Sequence, residues 1–145
     1  MSDQPSQSPQ GDSSRRAEPP GGAPLDAAMF TLISAAVFLY FGFFRTYSPT
    51  ADAELVYALS IYTFNWMAKI VGIGLLVVAG LTLARVAFAE WINFGASVLA
   101  AIGCLAVGGV WMAYKDGDGL MILLFGMLNA YSARASYAAA RRMVI

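Results

Sequence analysis

The side chains best suited to proton transfer and metal binding are scarce in this chain. Its 145 residues include no histidine and one cysteine, Cys104. The absence of histidine excludes histidine-ligated haem, imidazole metal sites and a histidine general base. Cys104 sits inside the uncharged run from Trp91 to Tyr114. Burial raises a thiol's pKa and no basic residue lies nearby in sequence, so Cys104 reads as a small apolar residue rather than a nucleophile. It has no partner for an intramolecular disulfide. No G-x-S-x-G, P-loop or G-x-G-x-x-G pattern occurs. The expectation is a non-enzymatic protein with no cofactor and no catalytic or metal site.

Three polar residues stand within or beside apolar runs and are candidates for function: Lys69, Asn129 and Arg134. An ionisable group at membrane depth is a functional hypothesis by default. Lys69 can also snorkel, or pair with Asp52, Asp116 or Asp118. Asn129 is expected to hydrogen-bond to another helix or to line a polar path. Arg134 is expected to pair with Glu90. Asp116-Gly117-Asp118-Gly119 hints at a calcium loop, but an EF-hand needs more oxygen ligands and a glutamate at its twelfth position. The chain instead enters Leu120-Met121-Ile122-Leu123-Leu124-Phe125, so this is expected to be a helix–helix turn.

A fourth pattern concerns packing. Ala96, Ala100, Cys104 and Gly108 recur every four residues. On a helix they form one smooth seam, which lets two backbones approach closely in lipid. The seam suits the interior of a bundle, or a docking face for another subunit or a second copy. Ala68 with Gly72, and Gly80 with Ala84, offer shorter versions.

The elements that position these residues follow from composition. The chain is 59% hydrophobic and 12% charged, well away from the soluble norm of about 45–50% apolar and about 25% charged. A soluble chain of this length could not hide so much apolar surface, so the lipid bilayer is the expected partner and solvent. The nine basic and nine acidic residues leave no electrostatic footprint for nucleic acid.

Residues 1–25 are rich in Ser, Gln, Pro and Gly and have no apolar periodicity. They are expected to form a disordered tail. Residues 26–145 are expected to form an all-α, polytopic integral membrane domain with four transmembrane helices. The approximate spans are 27–45, 65–87 with an N-terminal extension over 51–64, 91–114 and 120–140. Asp26 is a candidate N-cap for the first span. Trp91 and Trp111 are 20 residues apart, roughly 30 Å of helix, which matches the hydrocarbon thickness. The second span has the least defined start, because Glu54 to Arg85 would make roughly 46 Å of helix.

Four spans put both termini on one side. That side and the second connection hold Arg15, Arg16, Arg85, Arg134, Arg141 and Arg142, against Arg45, Lys69 and Lys115 opposite. The positive-inside rule then places both termini in the cytoplasm, of the inner or plasma membrane if the chain is bacterial. The chain is similar to the four-helix small multidrug exporters in size and helix count alone. Those place an acid in the first helix, and Ala27 to Phe44 has none.

The functional expectation is an accessory, assembly or scaffold subunit that acts through helix packing, with a membrane-protein partner or by self-association. The alternative is a small oligomeric channel or transporter.

Overall fold

The structure is a computed structural model and describes residues 22–86 and 88–143. Among these residues it is all-helical. α1 spans Gly22–Leu39 and runs directly into a π-helical turn, Tyr40–Phe44. α2 spans Leu55–Leu83, α3 Ala89–Ala113 and α4 Asp118–Met143. Three segments are long and apolar enough to cross a membrane: Leu25–Phe44, Leu55–Leu83 and Ala89–Ala113. α4 falls short of that standard because Asn129, Ser132, Arg134 and Ser136 interrupt its apolar run.

The expected tail falls outside the described residues over 1–21. From residue 22 the chain is already helical, so α1 begins earlier than the expected start of the first span. Pro24 permits this, since the first turn of a helix has no use for its missing N–H. Asp26 therefore lies within α1 rather than at its cap.

The helices run up, down, up, down. α3 packs most extensively on α4, α1 on α2, and α2 on α3, while α4 closes the ring against α1; α2 and α4 stand diagonally, with no close backbone approach. The approaches are close where glycine permits. A Cβ at Gly108 would lie 2.9 Å from the Leu123 side chain and 3.0 Å from the Gly119 carbonyl oxygen. One at Gly126 would lie 3.2 Å from Cys104 Cβ. On the other side of the ring, a Cβ at Gly72 would lie 3.0 Å from Leu39.

The π turn belongs to this packing. The Arg45 N–H donates to the Tyr40 carbonyl five residues back, which is the π pattern. Gly42 within the turn rests on the α2 backbone at Ala68 and Lys69. Phe41 turns inward while Phe43 and Phe44 face outward.

Two connections end in the same motif without glycine. The Arg85 N–H donates to Thr82 and the Val86 N–H to Leu81; the Lys115 N–H donates to Met112 and the Asp116 N–H to Trp111. These are paired Schellman bonds. Arg85 at φ 55° and Lys115 at φ 60° occupy the left-handed position that usually takes glycine. Phe88, at φ 65°, is also left-handed. The turn between α2 and α3 is therefore built by backbone geometry that its residue types do not announce.

Candidate functional site

The interior is divided along the bundle axis. Towards the π turn it is aromatic: Phe38, Phe41, Phe64 and Trp111 are buried together, with Phe41 and Phe64 rings 6.2 Å apart and Phe64 and Trp111 rings 5.4 Å apart. Towards the termini it is polar. α3 presents Glu90, Asn93 and Ser97 on one face, and α4 presents Asn129, Ser132 and Ser136. Both sets follow the spacing i, i+3, i+7, which keeps residues on one stripe of a helix. α1 adds Thr31 and Ser34. All eight are buried.

A hydrogen-bonded knot joins the three helices at the centre of this layer. Thr31 Oγ1 contacts Asn93 Oδ1 at 2.9 Å and Ser132 Oγ at 3.2 Å. Ser97 Oγ contacts Ser132 Oγ at 3.3 Å and Asn93 Oδ1 at 3.5 Å. Thr31 also reaches its own helix, at the Ala27 carbonyl. One turn of α3 nearer the termini lies Glu90, only 3% exposed. Its Oε2 has no hydrogen-bond partner, and neither do Asn93 Nδ2, Asn129 Oδ1, Ser34 Oγ and Ser136 Oγ. Unpaired buried polar atoms are costly, so their gathering on three adjoining helices sets this layer apart. Glu90 stands in the first turn of α3, where the helix dipole favours an anion.

The residues singled out by sequence are dispersed. Ala100, Cys104 and Gly108 are buried and Ala96 half-buried; Cys104 and Gly108 lie against α4 at Gly126, Leu123 and Gly119. Lys69 meets none of Asp52, Asp116 and Asp118 in an ion pair. Its Nζ lies 5.9 Å from the Phe43 ring centroid and 5.7 Å from that of Trp66. Side chains on a helix lean towards its N-terminus, so Lys69 leans towards the π-turn end. Asn129 donates to the Phe125 carbonyl of its own helix at 2.8 Å, not to another helix. Arg134 is exposed and forms no ion pair with Glu90. Lys69 and Asn129 are on the diagonal helices α2 and α4, whose backbones make no close approach.

At the opposite end, the acids of the turn before α4 are engaged. Asp118 pairs with Arg45 at 3.4 Å, Asp116 accepts a hydrogen bond from the Tyr57 hydroxyl, and Asp116 Oδ1 accepts the Asp118 N–H at 3.0 Å. Asn65 clamps the loop before α2, donating to the Tyr47 carbonyl at 2.7 Å and accepting its N–H at 3.2 Å. Trp111 Nε1 donates to Ser60 at 2.9 Å, which levels the end of α3 with the second turn of α2. Among the described residues, no three His, Cys, Asp or Glu side chains gather as metal ligands.

Sequence reasoning named Glu90 only as a partner for Arg134 and passed over Asn93, Ser97, Thr31, Ser34, Ser132 and Ser136. Isolated hydroxyls and a single amide vanish in apolar runs. The available signal was the repeated 3-then-4 spacing, 90/93/97 and 129/132/136. Compared with known proteins, the chain matches no family model, no curated protein and no solved structure.

Proposed function

We propose that all four helices cross a bilayer, with both termini in the cytoplasm. On this reading the protein works by packing, as a non-enzymatic accessory or assembly subunit of a larger membrane complex. The fourth crossing is supported by the direction of α4's polar groups. Asn129, Ser132 and Ser136 are buried, while Leu120, Leu124, Met127 and Tyr131 are exposed, so the face offered to lipid is apolar as far as the exposed Arg134. Inward-facing polar residues are tolerated in a membrane helix that has partners.

The observation that carries the subunit reading is the start of α2. Leu55, Val56, Leu59 and Tyr62 are exposed on the turns level with Trp111, Glu54 and Asp116. α2 has 29 residues, about 43 Å of helix against a hydrocarbon core of about 30 Å. An apolar patch at that height needs a cover, and a partner helix supplies one. Wild type purified in mild detergent is expected to run as a complex larger than one protomer. Leu59→Glu is expected to release a folded protomer. A wild-type protomer, with no protein adduct from a photoreactive group at position 59 in native membranes, would contradict the reading.

The polar layer favours a second reading, a small carrier. Protein-dependent solute flux in liposomes, reduced by Glu90→Gln, would support it; no such flux would dismiss it.

A further inference from the structure

The end of the bundle that carries the termini is basic on its surface. Arg85, Arg134, Arg141 and Arg142 are exposed there, and the one exposed acid among the described residues at that end is Asp26 on α1. None of the four arginines forms an ion pair with a described residue. The opposite end is different. Arg45 is paired with Asp118, and Asp52, Glu54 and Asp116 add further acids.

A chain of contacts fixes the depth of one of these arginines. α3 has 25 residues, about 38 Å of helix. Centred on a hydrocarbon core of about 30 Å, it puts its third residue, Trp91, at the boundary. Tyr137 of α4 lies beside Trp91, with ring centroids 6.0 Å apart and planes at 82°. Phe94 lies 5.5 Å from Tyr137. Trp91 is 39% exposed and Tyr137 40%, as rings with one apolar and one wet side are at a membrane interface. The Arg141 guanidinium lies over the Tyr137 ring, 5.7 Å from its centroid. It is therefore held at the height where lipid phosphates begin. A guanidinium can grip a phosphate with two parallel N–H donors. Arg134 precedes Tyr137 by three residues, about 4.5 Å nearer the bilayer centre, where an exposed cation is costly without an anion.

The surface below the rings suits the rest of a lipid. Gly95 is one turn beyond Trp91 on the same side of α3, and a Cβ there would meet no atom within 4 Å. The helix surface is dented at that point. Leu99, a further turn along, is exposed.

We propose that Arg134, Arg141, Trp91 and Tyr137 form a seat for the headgroup of an anionic phospholipid, whose acyl chain runs over Gly95. The guanidinia hold the phosphate and the two rings flank it. A zwitterionic lipid offers a phosphate too, but brings its own cation into a surface that already carries four unpaired arginines. The seat rests on the reading in which α4 crosses the bilayer, because that crossing sets Tyr137 among the headgroups.

The test uses the full chain with Trp66→Phe in phosphatidylcholine bilayers. Trp111 is buried, so Trp91 is then the tryptophan that lipid reaches. Its emission is followed as brominated-chain phosphatidylglycerol, or brominated-chain phosphatidylcholine, replaces the host lipid. Phosphatidylglycerol is expected to reach half-quenching at a several-fold lower mole fraction, since each arginine near the surface favours an anionic lipid by roughly fivefold. Arg134→Gln combined with Arg141→Gln is expected to remove that preference. Both side chains are exposed, so the variant is expected to fold. Arg85→Gln, at the same end but outside these contacts, is expected to keep most of the preference. Equal quenching by the two lipids would overturn the proposal. So would a preference that survives the double variant, or one that falls as far in Arg85→Gln. Inorganic phosphate at constant ionic strength is expected to leave the quenching unchanged; displacement of the lipid would make this a free-anion site and overturn the lipid assignment. The crossing of α4 is checked separately, by labelling both chain ends in sealed vesicles. With both ends on one side, a missing preference counts against the seat alone. With the ends on opposite sides, the seat falls together with the crossing.

Discussion

Gly108 and Gly126 have no side chain because the neighbouring helix occupies the place where one would stand. Leu123 lies 2.9 Å from the position of a Cβ at Gly108, so Gly108→Leu must push α4 away from α3. The expected cost is about 1–3 kcal/mol, measured as a fall in unfolding free energy in a denaturing-detergent titration; wild-type stability would contradict the close approach. Asn93 Oδ1 binds both Thr31 and Ser97. Asn93→Leu removes that acceptor at similar volume, and polar contacts between membrane helices average about 0.6 kcal/mol with a maximum near 1.7. A loss of roughly 1 kcal/mol is expected in the same titration, and it shrinks if Thr31 is already valine. The seam over Ala96 to Gly108 was legible because small residues at four-residue spacing have one physical use. The polar layer was not, because a lone serine or threonine in an apolar run looks the same whether it faces lipid or a partner helix.

At the scale of the element, the helices were readable and the joints were not. Four apolar stretches separated by charged or turn residues gave four helices in order, and the Trp91–Trp111 spacing gave α3. The α2–α3 connection resisted because Arg85 and Phe88 hold left-handed backbone where glycine would have signalled a stop. That strain yields a prediction. Lys115, at φ 60°, gains nothing from its Cβ there, and a left-handed L-residue costs roughly 1–2 kcal/mol. Lys115→Gly is expected to raise stability by up to about 1 kcal/mol after the entropy of glycine is subtracted; an unchanged or lower melting temperature would contradict the cap. The loop before α2 adds a pH dependence. Burial, and then the neighbouring Asp118 carboxylate, hold the Tyr47 phenol well above its usual range. Its ring also meets that of Trp111 edge to face, with centroids 4.8 Å apart. A group whose folded pKa is raised contributes fully below its unfolded pKa of about 10 and is lost as pH climbs beyond it. Wild type is therefore expected to lose stability above that pH, and Tyr47→Phe to lose less; identical alkaline profiles would contradict the assignment.

At the scale of the whole molecule, composition pointed to the bilayer, and three helices long and apolar enough to cross it are consistent with that class. What composition could not supply is the division of the interior into an aromatic half around Phe41, Phe64 and Trp111 and a polar half around Asn93 and Ser132. That division arises only when separate stripes meet, and it explains α4. Three of the residues that dilute its apolar run, Asn129, Ser132 and Ser136, are spent inside the bundle, while Arg134 is exposed, so its hydropathy understates its fitness for lipid only over the stretch before Arg134. The count of crossings has a direct test. Small epitopes at the two ends of the chain, probed in sealed membrane vesicles with an impermeant reagent, report whether both lie on one side. The account predicts that both are labelled, or both protected, together. One end labelled while the other is protected would mean an odd number of crossings, and α4 would not span.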